Sequence, residues 1–355
     1  MISTGFGIAA ARGARAEEES KAGKLVVSGF RGVLPGDPEV DVVRRLLEGG
    51  EISGVILLRR NIVSPEQLIK LSLSLREAAG SFVPIISVDQ EGGAVARVDA
   101  ENGFSDWMSA AEAAFLLKDE QEMFDYYLAR ARELAGVGVN VNFGPVLDLN
   151  LNPLNPIVGR LDRSFGPNPE VVVRCASAFV RAHRAVGVKT CGKHFPGHGS
   201  SLTDSHIEPT DVNETWAPEE LEPFRLMAGA GLLDSVMSAH LVHRRFSTDD
   251  ELPVSLSRIA IEQLQTDVGF GGPVFTDDMQ MGAIIRKFSE ETASVAAVAA
   301  GNTFLIYANY AKEHAVGTAV RINRSIEAAM ADGRISVPVW ASRVEIASAF
   351  LNQLS

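Results

Sequence analysis

The chain has 355 residues, 46% of them hydrophobic and 22% charged, with 33 Lys and Arg against 45 Asp and Glu, a formal net charge of -12. That length allows a large buried core, and no apolar stretch reaches the length of a membrane-spanning helix. The acidic field repels a phosphate backbone and no basic stripe offsets it, so neither nucleic acid nor a membrane is an expected partner.

Residues 1–16 are small and weakly apolar and end in Ala14-Arg15-Ala16 before Glu17-Glu18-Glu19. They resemble a small-residue cleavage site, but no basic leader precedes it, and Arg12 and Arg15 interrupt the apolar part. Residues 1–23 are therefore expected to be a tail, disordered or a degenerate export signal. A cytoplasmic location is favoured, with a periplasmic or exported one as the alternative.

From Lys24 onward, short β-branched runs alternate with longer amphipathic ones. The runs predict eight strands: Leu25 to Gly29, Gly54 to Leu58, Pro84 to Asp89, Val139 to Leu147, Val188 to His194, Ser235 to His240, Pro273 to Asp277 and Thr303 to Tyr307. Helices are predicted from Pro38 to Leu47 behind an Asp37 cap, and after Ser64-Pro65, a Ser cap with Pro at the first helical position. Others are predicted over Ala110 to Ala135, Pro169 to Ala185, Pro218 to Ala228, Ser257 to Thr266, Glu290 to Ala300, Lys312 to Met330 and Val339 to Gln353. Eight strands alternating with helices predict an α/β fold, a single-domain (β/α)8 TIM-type barrel over residues 24–355.

In such a barrel the reactive groups follow the strands. The polar clusters stand there: Arg59-Arg60-Asn61, Asp89-Gln90-Glu91-Gly92-Gly93, Asp148-Leu149-Asn150, Lys193-His194, His240 and Asp277-Asp278. The densest stretch is Cys191 to His206, where Gly and Pro turns can hold Lys193, His194, Asp204 and His206 around one cavity. Asp204 and His206, two residues apart, suit a carboxylate orienting an imidazole. His198 and His243, taken singly, read as structural. Cys175 and Cys191, the only cysteines, read as buried free thiols.

An ordered set of motifs carries a resemblance. Gly54-Val55-Ile56-Leu57-Leu58 with Arg60-Asn61 is followed by Val88-Asp89-Gln90-Glu91-Gly92-Gly93 with Arg97, then by Gly144-Pro145-Val146-Leu147-Asp148 and Arg163-Ser164-Phe165-Gly166. Lys193-His194-Phe195-Pro196-Gly197-His198-Gly199 with Asp204-Ser205-His206, Ser238-Ala239-His240 and Thr276-Asp277-Asp278-Met279 complete it. The chain resembles glycoside hydrolase family 3, and within it the single-domain bacterial β-N-acetylhexosaminidase branch. The resemblance implies a retaining exo-β-N-acetylglucosaminidase acting on peptidoglycan- or chitin-derived saccharides without metal or organic cofactor. It assigns Asp277 as nucleophile, His206 polarised by Asp204 as acid/base, and Asp89, Arg97, Arg163, Lys193 and His194 as sugar-binding groups. The loop bearing His206 is expected to close over substrate and open again.

The Asp-Ser-His element, and the end of the chain short of a second α/β domain, favour an amino sugar over a glucoside. Departures lie around the pocket: Ser200-Ser201 in place of an Asp-Thr pair, Ala94 in place of an Arg, and two residues inserted before Arg163. Asp278 reads as a helix cap or a support for Asp277, and Glu91 as a group that orients Arg97 or caps the next turn. Arg97, Arg163 and Lys193 also suit plain ion pairs at the barrel mouth. Other readings are a β-glucosidase or phosphorylase of the same family, a metal-dependent barrel hydrolase using His194, His198, Asp204, His206 and His240, and a non-catalytic sugar-binding barrel. A small saccharide is the expected partner and a monomer the favoured state.

Overall fold

The computed structural model describes residues 22–80, 82–311 and 315–354. Residues 1–21 of the expected tail lie outside them; Ala22–Leu25 form a 3-10 turn that leads into the first strand.

The β-branched runs form parallel strands because both faces are covered, one by the other strands' side chains and one by helices. The strands are β1 (Val26–Ser28), β2 (Gly54–Leu57), β3 (Ile85–Val88), β4 (Val141–Asn142), β5 (Lys189–Phe195), β6 (Thr210–Asp211), β7 (Ser235–Ser238), β8 (Leu241–Val242), β9 (Val274–Asp278) and β10 (Phe304–Tyr307). Among the described residues β1, β2, β3, β4, β5, β7, β9 and β10 close into a barrel, β10 pairing back onto β1. The eight expected strands are those eight.

The helices are α1 (Pro38–Glu48), α2 (Pro65–Ala79), α3 (Ala110–Leu116), α4 (Glu120–Gly136), α5 (Pro169–Arg184), α6 (Glu222–Gly229), α7 (Arg258–Thr266), α8 (Gly282–Ile285), α9 (Glu290–Ala300), α10 (Thr318–Ala331) and α11 (Val337–Leu351). Ser64 caps α2 as expected, its Oγ accepting from Gln67 N at 3.2 Å. Asp37 stands at the N-cap of α1 but does not cap it. Its carboxylate turns back to accept from Val33 N and Leu34 N at 2.7 and 3.0 Å.

Three other expectations are corrected. The single helix over Ala110 to Ala135 is two, because the Asp119 carboxylate takes the N–H groups of Gln121 and Glu122 and starts α4 afresh. The long fourth strand keeps two residues, since Pro145 has no N–H to give the ladder and the chain turns at Gly144-Pro145. Pro218–Leu221 form a 3-10 turn before α6. The pair β6 and β8 was not expected; two-residue strands carry no readable alternation.

Inside the barrel, Phe275 stacks on Phe304 at 4.6 Å and meets Phe143 edge-on at 5.2 Å. Phe350 of α11 reaches Phe275 and Phe304, and Gln353 bonds Lys189 at the start of β5. The last helix thus covers the amino ends of the strands and leaves the carboxyl ends for the site. Among the described residues no helix is long and apolar enough to cross a membrane.

Candidate active site

A cavity of about 590 Å³ opens at the carboxyl ends of the strands, floored by Ile56, Phe143, Met237 and Ile306. All eight residues singled out in the sequence line it: Asp89, Arg97, Arg163, Lys193, His194, Asp204, His206 and Asp277. Residues more than 180 positions apart meet because each stands at or beyond the carboxyl end of a barrel strand.

Lys193 is buried, its Nζ 2.8 Å from Asp89 Oδ1 and 2.6 Å from Glu91 Oε1. Arg163 grips Glu91 with two hydrogen bonds, Nε to Oε2 at 2.7 Å and Nη2 to Oε1 at 2.8 Å. Arg97 faces Asp89 at 3.7 Å. Glu91 therefore does not orient Arg97 but joins Arg163 to Lys193. Burial pushes the Glu91 carboxyl upward, yet the Arg163 and Lys193 charges outweigh it and hold it well below the usual carboxylate range. These cations do form ion pairs at the barrel mouth, and they also face the cavity.

His194 follows Lys193 on β5. Both line the cavity, and the peptide between them is cis. His194 Nδ1 donates to Asp148 Oδ2 at 2.6 Å, and Arg163 Nη2 lies 3.3 Å from its Nε2. Asp148, named in the sequence only as part of a motif, is fully buried and also accepts from the N–H groups of His194 and His198.

Asp277 is the last residue but one of β9, partly buried, with Oδ1 accepting from Asp278 N at 2.8 Å. Loss of water pushes its pKa up, but the charges of His194, His240 and His206 more than reverse this and keep it ionised well below the usual range. Asp278 is the opposite case: burial, with Asp277 beside it, raises its carboxyl to about 7 despite hydrogen bonds from Ala308 N and Gln280 N. It caps no helix, since Met281 occupies that place before α8.

His206 is exposed and its Nδ1 lies 2.8 Å from Asp204 Oδ1, which also accepts the His206 backbone N–H. Nε2 is then the ring nitrogen left for a ligand. His240 does not line the cavity; its Nε2–H donates to the Asp278 carbonyl at 3.0 Å and its Nδ1 accepts from Ser255. Among the described residues no group of three or more His, Cys, Asp or Glu side chains is placed to hold a metal ion. Cys175 and Cys191 are free and buried.

A closed parallel barrel with a carboxylate, an imidazole–carboxylate pair and a lattice of cations at its carboxyl ends is a (β/α)8 barrel enzyme site. The glycosyl hydrolase family 3 N-terminal domain model matches residues 19–344. A protein of Tolumonas auensis named beta-hexosaminidase is 36% identical over 313 residues, covering 85% of this chain and 84% of its own. A solved family 3 beta-N-acetylglucosaminidase from Paenibacillus sp. has a TM-score of 0.83 at 33% identity, covering 94% of this chain and 62% of that one. This chain thus spans less than two thirds of that protein. A family 3 glycosyl hydrolase from Mycobacterium smegmatis has a TM-score of 0.81 at 26% identity, covering 95% of this chain and 98% of that one. The chain belongs to glycoside hydrolase family 3.

Proposed function

We propose that the protein is a retaining, exo-acting β-N-acetylglucosaminidase that releases terminal β-linked N-acetylglucosamine from peptidoglycan- or chitin-derived saccharides. The reading rests on one observation: an ionised Asp277 and the Asp204-paired imidazole of His206 line the same cavity. A cavity of about 590 Å³ is within the range of small-ligand sites. The names of the Tolumonas and Paenibacillus relatives support the amino sugar.

In the first step the Asp277 carboxylate attacks the anomeric carbon and forms a glycosyl ester, while His206 Nε2–H gives its proton to the bridging oxygen and the aglycone departs. In the second, His206 takes a proton from water, whose oxygen attacks the same carbon, releases Asp277 and restores the starting configuration. Asp204 supports the imidazolium that stands ready before the first step and is re-formed in the second; between the steps the ring is neutral, with Nε2 free to accept. Asp89, Arg97, Arg163, Lys193 and His194 hold the hydroxyls and acetamido group of the sugar. Each step has a protein group to carry it, so the reading calls for no metal or organic cofactor. It treats residues 24–355 as one catalytic domain, monomeric and cytoplasmic; the two free thiols suit a reducing compartment.

The test is a panel of nitrophenyl glycosides with a fluorinated glycosyl donor as trap. The N-acetylglucosaminide is expected to be cleaved ahead of the glucoside and galactosaminide, Asp277→Ala to abolish turnover, and the trap to label Asp277. A label on another side chain, or a product of inverted configuration, would overturn the mechanism.

A further inference from the structure

The loop Gly199–Pro209 carries Asp204 and His206 beyond β5, and two independent features hold it. The first is below it. Among the described residues 202–209, Ser205 alone is buried, while its neighbours Asp204 and His206 face the cavity. Its Oγ lies 3.0 Å from His198 Nε2. His198, also buried, has its Nδ1 2.8 Å from Ser201 Oγ, and its backbone N–H donates to Asp148 Oδ1 at 2.9 Å. Burial, with the His194 charge nearby, lowers the His198 pKa to about 4, so the ring is neutral at neutral pH. A neutral imidazole has one donor and one acceptor nitrogen, so one serine hydroxyl gives and the other receives. A continuous set of bonds therefore runs from Asp148 in the barrel mouth to the residue between Asp204 and His206.

The second feature is beside the loop. Gly282 N donates to His206 O at 2.9 Å and Ala283 N to Ser205 O at 3.1 Å. A methyl group on Gly282 would lie 2.1 Å from the Ile207 carbonyl oxygen and 2.9 Å from that of His206. Gly282 opens α8 only five positions after Asp277, so the chain that presents the carboxylate is bonded directly to the chain that presents the imidazole. The far end of the loop is tied as well, through β6 on β8.

We propose that His198, acting through Ser205, and Gly282, acting through its backbone contact with the loop, are positioning residues that anchor the loop so that His206 is aimed at the site of Asp277. Substrate-driven movement of the loop then pivots on a seated Ser205. The proposal rests on His206 being the acid/base. Neither residue touches the reacting atoms. Their effect is confined to steps in which a proton must be given to the leaving group or taken from water.

The test compares Ser205→Ala and Gly282→Ala with wild type on two donors, a dinitrophenyl N-acetylglucosaminide that needs little protonation and a disaccharide of N-acetylglucosamine that needs it fully. Ser205→Ala is expected to lose about tenfold or more in kcat/KM on the disaccharide and less than about threefold on the aryl donor. Azide, a nucleophile that needs no base, is expected to speed release of the glycosyl-enzyme in the variant and yield glycosyl azide. Gly282→Ala is expected to show the same split, and if it does not fold, Ser205→Ala decides alone. Equal losses on both donors, or no loss, overturn the proposal. His206→Ala is the reference: if it shows the split and Ser205→Ala does not, only the positioning role fails, and if it shows none, the acid/base assignment itself fails.

Discussion

Asp148 holds His194 by two contacts from one fully buried carboxylate, the ring Nδ1–H on one oxygen and the backbone N–H on the other, and that second oxygen also takes the His198 backbone N–H. All three partners donate, so the position needs two accepting oxygens. Burial raises the Asp148 pKa, but the His194 charge and hydrogen bond reverse this and lower it. Asp148→Asn keeps the size and places an NH2 group against one of these donors. The expected outcome is a loss of about 2 kcal/mol or more of stability in urea unfolding, with KM for the N-acetylglucosaminide raised. An unchanged KM would separate His194 from sugar binding.

Glu91 is the shared anion of Arg163 and Lys193, and all three are buried. Removing one partner from a buried ionic group leaves the others without compensation, which costs about 3–5 kcal/mol. Glu91→Gln is expected to lose that much in denaturant unfolding, and to lose activity in step as Arg163 and Lys193 drift. A variant as stable as wild type would mean that Asp89, which also pairs Lys193, and water compensate the two cations.

Glu220 supports the root of the loop that carries His206, accepting from Gly199 N at 3.0 Å and Ala217 N at 3.3 Å. Burial raises its pKa from 4.5 to about 7, against the lowering effect of its hydrogen bonds. Between these values the folded protein holds a proton that the unfolded chain has released, so this group's contribution is full at low pH and is lost as pH rises towards 7 and beyond. Glu220→Gln has no such slope. The stability difference between wild type and variant is therefore expected to shrink, or reverse, between pH 5 and pH 8. A difference constant with pH would place the Glu220 pKa at its ordinary value.

Asp204 touches the imidazole and not the sugar in the proposed mechanism. Asp204→Ala is expected to lower kcat by about 100-fold or more while leaving KM within a few-fold, because it acts on the imidazole whose proton moves as bonds break and form, and not on the bound sugar. Initial rates over a substrate range decide this. A loss seen mainly in KM would move Asp204 into substrate binding.

Much of the barrel is legible because each strand is a short β-branched run ending in polar residues, and the barrel rule then gathers those ends. Asp277, Asp204 and His206 stand out by local spacing. The partners of Glu91 and Asp148 do not: Glu91 meets Arg163 from 72 residues away and Asp148 meets His194 from 46. Nothing local says which of several cations a carboxylate will reach once the strands close. The single helix predicted over Ala110 to Ala135 divides in two for a related reason. Its apolar pattern continues through Asp119, and only the hydrogen bonds of that carboxylate show that a new helix begins. Asp37 is the converse, a good cap by type whose side chain is taken by two nearer N–H groups.

The close backbone approach at Gly282 is matched at Gly199, where an added methyl carbon would lie 1.5 Å from the Leu149 carbonyl oxygen. At both points the room for divergence is nil. New preferences for the aglycone must then come from the exposed rim, where Leu161 and Tyr310 border the opening. A library directed there can be diversified while the chemistry underneath stays in register.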